Sequence, residues 1–249
     1  MAACMVVGIV TTLLCHEPDV AAQAGKDLTG NMAQRATRWL VVAIAEPFVD
    51  FVRRYRSFAF VLLAFIASYH ISDRVLGILA SPFYLDIGFT KSEVATVAKL
   101  YGFWVSLAGT AAGAFAVIKF GLSRCIVLAP LFVASTNLFF ALLAATGPQI
   151  EYLALTISAD NFAMGFGSTV FIAFLSSLIN IRFTATQYAL LGSIATFFGK
   201  FFAGYSGDVQ LEVGWFNFFL YAAATGIPAI VLSIVVALRH KEFEAPDRQ

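Results

Sequence analysis

Leu155-Thr-Ile-Ser-Ala-Asp160-Asn-Phe-Ala-Met-Gly-Phe-Gly-Ser168 lies within a run, 152–179, in which Asp160 is the single charged residue. The run exceeds the roughly 20 residues with which a helix crosses a hydrocarbon core of about 30 Å. A carboxylate about two turns inside such a helix costs roughly 2.5–3.5 kcal/mol on insertion scales. This one stretch therefore raises the question of fold and the question of site together.

The rest of the chain answers the first question. Of 249 residues, 60% are hydrophobic and 12% charged. A soluble domain has about 45–50% apolar and about 25% charged residues. So few charges cannot cover a water-facing surface, and the composition is that of an integral membrane protein. The net charge of +1 supplies no basic field for nucleic acid. Cys4, Cys15 and Cys125 show no metal-ligand spacing and read as buried free thiols.

Six segments are long and apolar enough to span: 57–83, 93–118, 125–146, 152–179, 185–207 and 215–238. Short connections with turn chemistry separate them, among them Asp86-Ile-Gly88 and Thr146-Gly-Pro148, with a longer one over 208–214. The apolar stretch 1–15 lacks the basic start of a signal peptide and is too short to span. It reads as the end of a transmembrane helix. Residues 16–56 form a hydrophilic linker that closes on an amphipathic segment from Trp39 to Arg56, suited to the membrane interface. The expected organisation is therefore a helix end over 1–15, a linker over 16–56, a six-helix bundle over 57–240 and a tail over 241–249.

Basic residues fix the orientation. Lys26, Arg35, Arg38, Arg53, Arg54, Arg56, Lys119, Arg124, Arg182, Arg239, Lys241 and Arg248 all fall on one side of a six-helix arrangement. The other side holds Lys91, with Asp86, Glu93, Glu151, Asp208 and Glu212. The linker and the C-terminus are expected to be cytoplasmic.

Asp73, Arg74, Lys99, Asp160 and Lys200 remain, all inside spans. At about 1.5 Å per residue they fall in a layer roughly 9–15 Å below the outer boundary. Each shares a helical stripe with small residues, as Lys99 does with Gly102, Ser106, Gly109 and Gly113. For Asp160, an ion pair with Lys200 stands beside a proton-carrying or substrate-binding role. Lys99 reads as lining a cavity. His70 and Asp73, one turn apart, could relay a proton or contribute to a metal site; a packed, hydrogen-bonded histidine is the plainer reading. Gly109-Thr-Ala-Ala-Gly113 reads as a helix-packing motif. No metal set and no cofactor motif is present in the sequence, and no nucleophile or phosphate loop suggests an enzyme.

Four segments resemble AmpG-like muropeptide permeases of the major facilitator superfamily. Phe183-Thr-Ala-Thr-Gln187-Tyr-Ala-Leu-Leu191 is similar to that family's signature at the start of the eleventh helix. Pro82-Phe-Tyr-Leu-Asp-Ile-Gly-Phe89 resembles its outer turn after the seventh helix, and Tyr69-His-Ile-Ser-Asp73 the motif before it. Asp160-Asn-Phe162 is similar to a Glu-Asn-Phe in the tenth helix, with aspartate in place of glutamate. The resemblance implies an all-α, six-helix C-terminal half of a transporter, preceded by the end of one more helix and lacking an N-terminal half.

What the resemblance implies in function is proton-coupled import of anhydro-muropeptides across the bacterial inner membrane during cell-wall recycling. Asp73, Asp160 and His70 are then the candidates for proton coupling. Arg74, Lys99, Asn161, Lys200 and Gln187 are the candidates for binding substrate. In the superfamily the seventh and tenth helices line the cavity, while the ninth and twelfth face lipid. The competing readings are another solute on the same fold, such as a sugar conjugate or an acyl-CoA-like molecule, and a half-transporter inactive without its partner half.

Overall fold

A computed structural model describes residues 45–180 and 183–243. The stretch 1–15, most of the linker, Arg182 and the last six residues lie outside the described residues, as does the side chain of Lys99. Among the described residues every regular element is a helix.

Helix α1 (Glu46–Tyr55) is the described part of the amphipathic linker segment. Next come α2 (Phe58–Tyr69) and α3 (Ile71–Asp86), which form one membrane-length rod interrupted at His70. A short α4 (Lys91–Ala95) runs through a π-helical turn, Thr96–Tyr101, into α5 (Gly102–Phe120). The bundle continues with α6 (Leu122–Thr146), α7 (Ile150–Leu178), α8 (Thr184–Ala203), α9 (Ser206–Ala224) and α10 (Ile227–Phe243).

The spans follow the sequence reading with informative differences. The second begins earlier than expected because Thr90 caps it. The Thr90 hydroxyl accepts from the Glu93 backbone N–H, and the Glu93 carboxylate accepts from the Thr90 N–H at 2.9 Å. The stretch 208–214, read as a connection, is helical up to its last residue. The reversal falls on Gly214 alone, at φ 73° and ψ 170°, a conformation open to glycine and costly for other residues. The Asn217 side-chain amide donates to the Val213 carbonyl across this break at 3.0 Å. Among the described residues, five stretches have the length and apolarity of a span; α8 falls short in apolar character because it carries Gln187, Lys200 and three threonines.

Packing divides the interior into two apolar clusters. One gathers Phe51, Phe58, Phe65, Tyr69, Phe166 and Phe174 at the α1 end. The other gathers Val75, Phe83, Phe140, Ile157 and Phe219 at the opposite end. The α2–α3 rod, α6 and α7 join both, and each passes through a short polar stretch between them: Ser72 and Asp73 on α3, Thr136 and Asn137 on α6, Asp160 and Asn161 on α7. Burying those groups between two apolar masses requires partners, and that requirement shapes the site.

α7 is the central element, in contact with both α5 and α6. Its contact with α5 is made by glycines. A Cβ on Gly109 would strike the Phe162 carbonyl, and one on Gly165 would strike the Ser106 carbonyl. The packing motif in 109–113 is therefore a seam between two helices of the same chain.

Candidate functional site

An open crevice of about 230 Å³ lies between α2, α3, α6 and α7. Tyr69, His70, Asp73, Val133, Met164, Gly167 and Ser168 line it. The break between α2 and α3 puts His70 at its wall, with φ −99° and ψ 4°. The His70 ring stands edge-on to Phe171 at 4.8 Å, and Phe171 stacks on Tyr69 at 4.5 Å. The Tyr69 hydroxyl donates to the Gly167 carbonyl at 2.8 Å, which ties α2 to α7 across the crevice floor.

Asp73 is half-buried in this crevice and makes no hydrogen bond or ion pair with the described residues. Asp160 is also half-buried and lies within electrostatic range of Asp73. Its hydrogen-bond partner among the described residues is Thr136 on α6, whose hydroxyl lies 3.4 Å from Oδ1. The same hydroxyl lies 2.8 Å from the Val133 carbonyl, so Asp160 shares it. The expected Asp160–Lys200 pair is absent. Lys200 is exposed on α8 and has no ion pair among the described residues.

The continuation of helix to 213 explains part of that difference. Lys200 lies near the end of α8, with the helical stretch Ser206 to Val213 between it and the Gly214 turn, so it sits below the expected layer. It is level with Arg74, since the Arg74 side-chain stem packs over Gly199. Arg74 is exposed beside it. Asp73 likewise lies about 20 Å from the end of α3, Asp160 about 15 Å from the start of α7, and Lys99 about 12 Å from the start of α4. The charged layer is thus broader than the sequence spacing suggested.

Asn161 folds back onto its own helix and donates to the Ile157 carbonyl at 2.8 Å, with its amide against Gly102. Lys99 sits in the backbone of the π-helical turn just before that glycine. Gln187 lies elsewhere, about 18 Å along α8 from Gly199. It is 2% exposed and its amide is fully engaged. It donates to the Pro47 carbonyl at 2.9 Å and Asp50 at 3.1 Å, and accepts from the Asn180 N–H at 2.7 Å. Beside it the Tyr55 hydroxyl donates to the Leu178 carbonyl at 3.3 Å, and burial pushes that hydroxyl above the usual tyrosine range. Gln187 thus fastens α1 to the α7–α8 junction, apart from the crevice.

The sequence reading missed the contribution of α6. Thr136 meets Asp160, and Asn137 donates to Ser72 at 2.7 Å while Ser72 donates to the Ala222 carbonyl at 2.8 Å. Thr136 and Asn137 are 4% and 1% exposed. A helix expected to face lipid thus contributes buried polar groups behind the crevice. Adjacent polar residues in an otherwise apolar span were the available signal.

No family model matches the sequence. A Rickettsia felis protein named as transporter AmpG 4 is 33% identical over 77% of this chain and 46% of its own length. AmpG 1 of Rickettsia prowazekii, also named as a transporter, is 30% identical over 70% of this chain and 40% of its own length. The anhydromuropeptide permease of Escherichia coli is 27% identical over 94% of this chain and 45% of its own length. The chain spans about half the length of the curated relatives it matches. The resemblance to AmpG-like permeases therefore holds over most of this chain, on an all-α membrane fold.

Proposed function

We propose that this chain is the C-terminal half of a proton-coupled importer of anhydro-muropeptides in the bacterial inner membrane. The observation that carries the reading is the pair Asp73 and Asp160, two half-buried carboxylates within range of each other in a chain similar to a named anhydromuropeptide permease. Carboxylates at membrane depth are expensive, and they suit a group that must bind and release a proton during transport. Thr136 holds one of them in place, whereas Asp73 faces open space.

A muropeptide carries sugar hydroxyls, carboxylates and an amine. Arg74 and Lys200, exposed at one level beside α8, present cations to its carboxylates. His70 and Ser168 at the crevice wall present ring nitrogens and a hydroxyl to its polar groups. The crevice is open rather than enclosed, as one wall of a site closed by a second half would be. In this reading the linker and the C-terminus face the cytoplasm, and the chain performs transport without covalent chemistry on its cargo.

The test is uptake of radiolabelled anhydro-muropeptide into membrane vesicles under an imposed proton gradient. The chain is expressed alone and together with a six-helix N-terminal half. The account expects uptake that needs both halves and collapses with a protonophore. Uptake of an acyl-CoA or an unrelated sugar conjugate, with none of muropeptide, would move the chain to a different cargo.

A further inference from the structure

The outward face of α1, together with the elbow joining it to α2, has a chemistry that transport does not use. α1 turns Pro47, Phe51 and Tyr55 inward. Outward it presents Phe48 at 41% and Val49 at 51% exposure, with Arg53 and Arg56 exposed alongside. Arg54 is occupied by Asp50 at 3.1 Å, whereas Arg53 and Arg56 have no ion pair among the described residues. Just past the elbow, the Arg239 guanidinium lies 5.4 Å from the Phe58 ring.

The backbone at the elbow adds an independent observation. Arg56 has φ 51° and ψ −131°, and is the one non-glycine with positive φ among the described residues. Glycine adopts that conformation freely, whereas a side chain there is strained by about 1–3 kcal/mol. Its N–H still bonds the Val52 carbonyl at 2.7 Å and its carbonyl accepts from Ala59 at 3.2 Å, so the fold holds the strain in place. An arginine kept where glycine fits better points to use of its guanidinium.

We infer that Arg53, Arg56 and Arg239, set against the exposed apolar surface of Phe48 and Val49, bind the phosphodiester headgroup of an anionic phospholipid. Guanidinium forks match phosphate oxygens bidentately, and the neighbouring apolar side chains take the start of the acyl chains. Charge complementarity selects an anionic over a zwitterionic lipid. The site sits on the helix that Gln187 fastens to the bundle, so bound lipid would hold that clasp at the membrane surface.

The experiment is native mass spectrometry of the detergent-solubilised full chain, titrated with dioleoylphosphatidylglycerol and separately with dioleoylphosphatidylcholine. The anionic lipid should bind preferentially, and glycerol 1-phosphate at equal concentration should not displace it. Arg56→Gly and Arg53→Ser should each weaken phosphatidylglycerol binding about fivefold, the equivalent of about 1 kcal/mol per basic residue. Together they should weaken it about twentyfold. Arg56→Gly relieves the strained φ, so its unfolding temperature should equal or exceed that of the parent; if it falls, Arg53→Ser alone decides. Lys91→Ser, at the opposite end, should leave binding unchanged. Equal affinity for the two lipids, displacement by the soluble phosphate, or full binding by the double variant would overturn the site.

Discussion

The two sides of α7 are built to opposite rules. At about 100° per residue, Gly165 and Thr169 fall on one face, while Asp160, Met164, Gly167 and Phe171 fall on the other. The first face meets α5 with helix backbones so close that a single methyl group has no room. The second borders the crevice, where Asp73 has no partner among the described residues and Met164 is 42% exposed. Association in a membrane gains from close van der Waals packing rather than from expelling water. The seam supplies that packing, and so the opposite face can hold poorly satisfied polar groups without losing the helix. Rigidity on one side and vacancy on the other is what a fixed wall with a working surface requires.

The same substitution made on each face gives the sharpest way to break the comparison. Gly165→Ala drives a methyl group into the Ser106 carbonyl and Thr110 backbone. Overpacking against backbone has little means of relief, and a loss of about 3 kcal/mol or more is expected. The readout is a large drop in folded yield and unfolding temperature. Gly109→Ala, striking from α5, should do the same. Because both act on one contact, the double variant should cost less than the sum.

Thr136→Val removes the hydroxyl that bonds Asp160 while keeping the shape of the side chain. Hydrogen bonds to charged groups contribute about 1.5–3 kcal/mol in soluble proteins, and bonds between membrane helices average about 0.6. A loss of about 1–2 kcal/mol is expected, read as a lower unfolding temperature. Thr136→Ser should restore most of it.

Gly167→Ala is the mild member of the set. Its methyl group would meet the Val133 side chain at 3.3 Å and the Tyr69 hydroxyl at 3.5 Å, both side-chain atoms bordering open space. With the helix preference of alanine acting in its favour, the change in stability should stay within about 1 kcal/mol. A Gly167→Ala variant as damaged as Gly165→Ala would erase the distinction between the faces.

Much of this was legible in the sequence. Apolar length set the spans, because a helix that meets hydrocarbon must be long and apolar. The glycine spacing in 109–113 announced a close seam. Pairings between helices were harder to read. Asp160 and Lys200 looked complementary by charge and depth, yet Lys200 ended up level with Arg74, because a further helical stretch, Ser206 to Val213, lies between it and the Gly214 turn. One-dimensional depth carries no information about which faces meet. Gln187 shows the same limit. Its motif marked it as important, but only the fold reveals that its amide is spent on Pro47, Asp50 and Asn180. Thr136 escaped notice because a threonine at membrane depth usually satisfies itself on its own helix. The Val133 bond does just that, and the contact with Asp160 comes only from the neighbouring helix.

The central claim is that Asp73 at the crevice and Asp160 near it couple proton movement to transport of a muropeptide. Its most direct test is Asp160→Asn in the transporter assembled with its N-terminal half, assayed for muropeptide accumulation with and without a proton gradient. The account predicts that gradient-driven accumulation is lost, while exchange of muropeptide across the membrane at equal concentrations on the two sides persists. Accumulation that remains fully gradient-driven in this variant and in Asp73→Asn would contradict it.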